Sequence, residues 1–174
     1  MTELATSPDL QRVIDHIAVR DVVLKYARAI DRMDWELLRS CYYPDAIDDH
    51  GPFRGTVEEM IPWLEENSVD YEFSTHYIMN QLVELDGDVA WVESYCLATH
   101  RSVPSKELPD PMDLVVNVRY IDRMERRDGE WRIADRRLAW QGGRYDPVGR
   151  HELTLPMGQT GRRERSDLAY DRSR

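Results

Sequence analysis

Hydrophobic positions along the chain change their period near residue 70. From Leu10 to Ile30 apolar side chains return at helical spacing, through Val13, Ile17, Val19 or Arg20, Val23, Leu24, Ala27 and Ile30. Ser7-Pro8-Asp9 reads as a capped start with proline in the first turn. This helix is expected to stop at Asp31–Met33. Asp34 then caps a second helix, Trp35 to Tyr42, which Pro44 ends because proline brings no N–H and its ring clashes with the preceding turn. Ala46–His50 reads as a short strand and Gly51-Pro52 with Gly55 as a loop. Thr56 with Glu59 forms a capping box that opens a third helix through Trp63 to about Glu66.

Beyond that point strands follow. Glu72–Leu85 and Val89–Val103 flank a hairpin turn at Asp86-Gly87-Asp88. A proline-rich loop covers Pro104–Pro111, and Leu114–Arg126 and Glu130–Trp140 flank a second turn at Arg127-Asp128-Gly129. Helices first and strands after imply a segregated α+β fold, with N-terminal helices packed in a strongly curved antiparallel sheet. Such a sheet curls around the first helix as a cone and leaves a cavity on its concave face. One domain is expected over residues 1–143, followed by an Arg-, Gly- and Pro-rich tail, 144–174. The tail is expected to be partly extended and partly disordered, and is placed to cover a pocket mouth or reach a second subunit.

Composition narrows the function. A length of 174 residues suits one domain that needs no disulfide or metal staple. The net charge of −10 argues against nucleic acid as a partner. No apolar run approaches the roughly 20 residues of a membrane span. Met1–Leu10 carries two acids and no basic residue, unlike a signal peptide. Cys41 and Cys96, each in apolar surroundings, read as reduced core thiols of a soluble, cytoplasmic protein.

Candidate chemistry comes from strand alternation. His76, Ile78, Asn80 and Leu82 share one face of their strand, and Ser94, Cys96, Ala98 and His100 share one face of the next. Pairing about Gly87 sets Ala98 opposite His76, with His100 within reach of the same space. Asp31 closes a helix, where the macrodipole disfavours an anion, so a cationic partner or a function would explain it. A histidine oriented by a carboxylate is a proton acceptor suited to neutral pH. Tyr26 lies nearby on the helix and could donate to a developing oxyanion. Arg136 on the last strand could hold negative charge. Each of these residues is also readable as core or surface structure. His50 beside Asp48 and Asp49 superficially suggests a metal site, but the cluster reads better as a solvated strand end. His151 falls in the tail. Trp63, Trp140 and Tyr43 could line a pocket for a flat ligand. No nucleotide-binding glycine loop, Gly-x-Ser-x-Gly elbow or Cys-x-x-Cys pair is present.

An ordered set of motifs carries a family resemblance. It comprises Lys25-Tyr26-Ala27-Arg28-Ala29-Ile30-Asp31-Arg32-Met33-Asp34, Tyr43-Pro44-Asp45-Ala46, His50-Gly51, Thr75-His76-Tyr77 with Asn80, and Asp86-Gly87-Asp88-Val89-Ala90. It ends with Arg119-Tyr120-Ile121-Asp122 and Glu125-Arg126-Arg127-Asp128-Gly129-Glu130-Trp131-Arg132-Ile133. Over residues 10–142 the chain resembles the SnoaL-like branch of the nuclear transport factor 2-like (NTF2-like) superfamily. It looks most similar to the group with scytalone dehydratase, bile-acid dehydratase and hexachlorocyclohexane dehydrochlorinase. The resemblance implies a cone-shaped barrel, a homo-oligomer (trimer or dimer) and no cofactor or metal. It also implies a lyase using a His–Asp dyad on a small hydrophobic, cyclic or polycyclic substrate. Asp31 and His76 match the dyad, Tyr26 a pocket tyrosine, His100 a second pocket histidine and Arg136 a functional arginine. His50 falls where the dehydratases carry a tyrosine. With Asn80, Trp63, Tyr120 and Trp140 it makes up the expected substrate-contacting set. Two other functions fit the same pocket, a polyketide-type cyclase or ketosteroid-type isomerase, and a non-catalytic ligand-binding or assembly module.

Overall fold

The computed structural model describes residues 7–68, 71–104, 109–148 and 160–173. Part of the expected loop at Pro104–Pro111 and the tail around His151 lie outside the described residues. Helix α1 spans Pro8–Arg32, with Ser7 Oγ accepting from the Leu10 N–H, and it ends where Met33 turns left-handed at φ 49°. Its buried side carries Val19, Val22, Val23, Tyr26, Ala27, Ala29 and Ile30, whereas Val13, Ile17 and Leu24 are exposed. The expected stripe is therefore corrected in its N-terminal half. Apolar and charged residues alternate around this part of the helix, so spacing does not select a face there. Burial of a valine such as Val19 or Val23, each fully enclosed, contributes about 1.5–3 kcal/mol.

Helix α2, Trp35–Ser40, is capped by Asp34 Oδ1 on the Leu37 N–H and is shorter than expected. Tyr42 and Tyr43 belong instead to β1, Tyr42–Asp49, and Pro44 sits inside that strand. The absent N–H of Pro44 coincides with an irregularity in pairing between Tyr42 and Ile47. The short β2, Arg54–Gly55, leads into α3, Val57–Ser68. The Thr56–Glu59 capping box forms as expected, with Glu59 Oε2 accepting from the Thr56 N–H at 2.8 Å.

Four long strands follow, β3 Tyr71–Asp86, β4 Val89–Ser102, β5 Met112–Arg127 and β6 Glu130–Pro147. The six-stranded order is β2-β1-β6-β5-β4-β3. The sheet is antiparallel except where β1 runs parallel to β6, so it is mixed rather than wholly antiparallel. Gly87, at φ 58°, opens the β3–β4 turn, and Asp128-Gly129, at φ 53° and 84°, gives the doubly left-handed turn between β5 and β6. A bulge between Ile78 and Gln81 bends β3. Helix α1 packs against β3 and β6, and the cavity opens between that helix, α3 and the concave sheet.

The tail does not simply leave the domain. Its first residues extend β6, and Thr160–Ser173 returns to the C-terminal end of α1. Arg32 pairs with Asp167 at 3.3 Å, Arg28 donates to the Ala169 carbonyl and covers the Tyr170 ring, and Tyr170 donates to Asp34 at 2.8 Å.

Candidate active site

Asp31 lies in the last turn of α1 and His76 faces it from β3. One carboxylate oxygen accepts from the His76 Nδ1 at 2.7 Å and the other from the His76 backbone N–H at 3.0 Å. Two N–H donors thus offset the unfavourable end of the helix dipole. An ionised carboxylate only accepts, so Nδ1 carries the proton, and in the neutral ring Nε2 keeps its lone pair. Nε2 has no hydrogen-bond partner among the described residues. The pair is nearly enclosed, with 12% of the Asp31 side chain and 7% of the His76 side chain exposed.

His76 borders a cavity of about 330 Å³. Ile30, Leu64, Val116, Val118 and Leu138 give it an apolar wall, and Trp63, stacked on Phe53 at 5.5 Å, forms one side. A smaller groove of about 250 Å³ touches the other side of the same pair, between Leu24, Arg28, Arg32 and the tail residue Ala169.

Two further histidines face the cavity. Strand register places His76 opposite Ala98, and His100 follows two residues along β4. The His100 ring lies 5.4 Å from that of His76 and 5.0 Å from that of Tyr71, and its Nδ1 is 2.8 Å from Ser74 Oγ. Burial lowers the His100 imidazole to about 4; nearby His76 adds to this, Asp31 opposes it and Arg163 contributes least. His100 is therefore neutral at physiological pH. His50 stands on the opposite wall with its Nδ1 3.1 Å from Asp48 Oδ1. Asp48 is fully buried and also accepts from the Tyr42 hydroxyl at 2.5 Å, so the expected solvated strand end is a second carboxylate–imidazole pair. Burial opposes ionisation of Asp48, but His50, Arg136 and Tyr42 hold its carboxyl below the usual range. Tyr26 also lines the cavity, and burial outweighs the Arg136 charge to push its phenol far above the ordinary value. It stays protonated and can donate.

Several expected site residues are placed elsewhere. Arg136 does not line the cavity: it has no exposed surface, its Nε and Nη2 grip Asp122 at 2.7 Å each, and Tyr26 and Tyr120 cover it at 4.1 and 4.4 Å. It supports the floor rather than meeting a ligand. Tyr120 is likewise buried behind Tyr26, ring to ring at 5.5 Å, and not in the wall. Asn80 is exposed, because the bulge turns it and Leu82 outward while Gln81 takes the inward place. Tyr43 caps the β5–β6 hairpin, donating to the Glu130 carbonyl at 2.6 Å. Trp63 and Trp140 do border the cavity, the latter at the rim with 63% of its surface exposed. A Cβ on Gly143 would come within 2.8 Å of the Trp140 ring, so the glycine lets the indole lie down on β6.

The model of the SnoaL-like domain family matches residues 11–137. This chain belongs to the SnoaL-like family. No curated protein shows a sequence match to it. Among solved structures, a hexachlorocyclohexane dehydrochlorinase from Novosphingobium barchaimii aligns at TM-score 0.69 and 20% identity, over 85% of this chain and 99% of its own. A protein given as a scytalone dehydratase, from Novosphingobium aromaticivorans, aligns at 0.67 and 21%, over 81% and 97%. A Mycobacterium tuberculosis protein of unknown function aligns at 0.65 and 22%, over 79% and 78%. At these identities the likeness establishes the NTF2-like cone fold, in agreement with the sequence resemblance.

In this SnoaL-like chain the sequence reading missed Ser74, Tyr71, Asp48 and Arg163 as parts of the site. Ser74 was legible in principle, being two residues from His76 on the same strand face. Asp48 was visible but its burial was not. Arg163 sits in the non-periodic tail, and nothing in its local pattern marks it.

Proposed function

We propose that the chain is a cofactor-independent lyase of the dehydratase type, acting on a small, hydrophobic, cyclic substrate. The observation that carries this reading is the Asp31–His76 pair at 2.7 Å, with His76 bordering a cavity that has an apolar wall. His76 Nε2 takes a proton from a carbon beside a carbonyl, and the C–H electron pair becomes the new double bond. The carbon–oxygen bond on the neighbouring carbon breaks, and its electrons leave with the oxygen. His50, protonated and steadied by Asp48, hands that oxygen a proton, so one water departs. Solvent then removes the proton from His76 and returns one to His50. Tyr26 donates to the carbonyl oxygen as it gains charge, and neutral His100 borders the same space. The apolar wall excludes bulk water from the reacting atoms. The dehydratase and dehydrochlorinase names among the structural neighbours support an elimination.

The test uses β-hydroxytetralone, whose loss of water yields a fluorescent naphthol. Turnover is expected in the unaltered chain and a loss of at least about 100-fold in His76→Ala and Asp31→Asn. Turnover retained by folded His76→Ala removes His76 as the base. Ring closure or a double-bond shift on related ketones, without loss of water, would replace the lyase reading with a cyclase or isomerase.

A further inference from the structure

Arg163 is the fixed cation of the cavity wall among the described residues. It arrives from the tail, which the Arg32–Asp167, Arg28–Ala169 and Tyr170–Asp34 contacts pin beside the pocket. Its Nη1 donates to the carbonyls of Ser68 and Tyr71, both at 2.9 Å, which fixes the guanidinium in place. An arginine carries five N–H donors, and those on Nη1 are thereby used. The other edge, Nε and Nη2, has no partner among the described residues, and Nε is hidden from solvent. With Nε hidden, Nη2 is the nitrogen left to donate to a carboxylate, as Arg136 Nη2 donates to Asp122.

Its neighbours in the tail are served differently. Arg165 pairs with Glu36 at 2.7 Å and Arg162 approaches Glu164 at 4.0 Å. Arg163 reaches no carboxylate closely enough to pair among the described residues. Half-burial of the guanidinium disfavours its charge, Asp31 and Tyr71 favour it and Arg32 disfavours it. A half-buried cation with Nη2 unpartnered among the described residues is suited to receive an anion.

We infer that Arg163 is a substrate-recognition residue, and that the ligand is a hydrophobic ring bearing a carboxylate, its ring against the apolar wall and its acid on Nη2 of Arg163. This names the substrate class of the proposed lyase site, and so rests on that reading for its catalytic meaning. The binding claim itself is independent of turnover. The Arg163 guanidinium also offsets the repulsion that nearby Asp31 would exert on that carboxylate.

Calorimetric titration of the full chain with naphthoate and with neutral, near-isosteric naphthamide tests it. Wild type is expected to bind naphthoate at least tenfold more tightly than naphthamide. Arg163→Gln should bring that ratio near one while naphthamide affinity stays within twofold. Arg163→Lys, which keeps the charge and loses the fixed position of Nη2, should lower the ratio at least threefold, and it decides the matter if Arg163→Gln fails to fold. No binding of naphthoate, a wild-type ratio near one, or a ratio unchanged in both variants overturns the inference. A ratio that behaves as expected without any elimination activity overturns the lyase reading alone.

Discussion

Asp122 and Arg136 face each other across β5 and β6 and close a two-pronged ion pair, 2.7 Å on each prong, with neither side chain exposed. Burial acts against charge on both. The carboxylate holds the guanidinium charged, and burial keeps the Asp122 carboxyl above its ordinary value although the guanidinium draws it down. Removing one partner strands the other in a low dielectric. Asp122→Ala is expected to cost about 3–5 kcal/mol in urea unfolding. The double variant Asp122→Leu with Arg136→Met should recover most of that loss. Additive losses in the double variant would show that the pair is not coupled.

Burial of His100 has a pH signature. Its imidazole titrates at about 4 rather than 6.5, so between those values the unfolded chain binds more protons than the native one. Stability is therefore lost as pH falls through that window, by up to about 3 kcal/mol from this residue. His100→Asn lacks the titration. The stability gap between wild type and variant should narrow as unfolding is measured from pH 7 down to pH 4. Parallel curves would mean that His100 titrates normally.

The readable part of the site was the part set by short-range rules. Pairing centred on Gly87 puts His76 opposite Ala98, and that pair is observed because a tighter turn and a one-residue bulge offset each other. The β-hairpin closes tightly, Asp86 against Val89, and the bulge after Ile78 then adds one residue to β3. Alternation carries no sign of a bulge, so Asn80 was placed inward on a strand whose parity had already changed. Helix α1 posed the opposite difficulty: Val13, Ile17 and Leu24 are apolar yet exposed, while Asp15 is buried. The position of Arg163 depends on contacts between the tail and α1, distant in sequence and without periodicity.

Asn80 separates the two descriptions experimentally. As the outward residue of a bulge it has no cavity contact to lose, so Asn80→Ala should leave stability within about 0.5 kcal/mol and turnover within twofold. A tenfold loss of turnover in a folded variant would return Asn80 to the site and require β3 to pair in another register.

Asp15 ties the far end of α1 to both hairpin turns. Its Oδ1 accepts from Trp131 Nε1 at 2.9 Å, and both its oxygens accept from Arg126 Nη1 at 2.9 and 3.0 Å. Arg126 in turn reaches Asp88 in the β3–β4 turn and lies over the Trp131 ring, 5.4 Å from its centroid. Asp15→Ala leaves a buried indole N–H without its acceptor and a half-buried guanidinium without one of its two carboxylates, at an expected cost of about 2–4 kcal/mol. Asp15→Asn keeps the shape and one acceptor oxygen and should lose about half as much. Asp15 and Asp31 stand sixteen residues apart on one helix, a separation of about 24 Å at the usual rise. The loss should therefore appear in the urea midpoint and not in kcat measured well below the melting temperature. If kcat falls in step with stability, the helix end at Asp31 depends on how its start is anchored, and the Asp31–His76 geometry is set by the whole length of α1 rather than by its last turn.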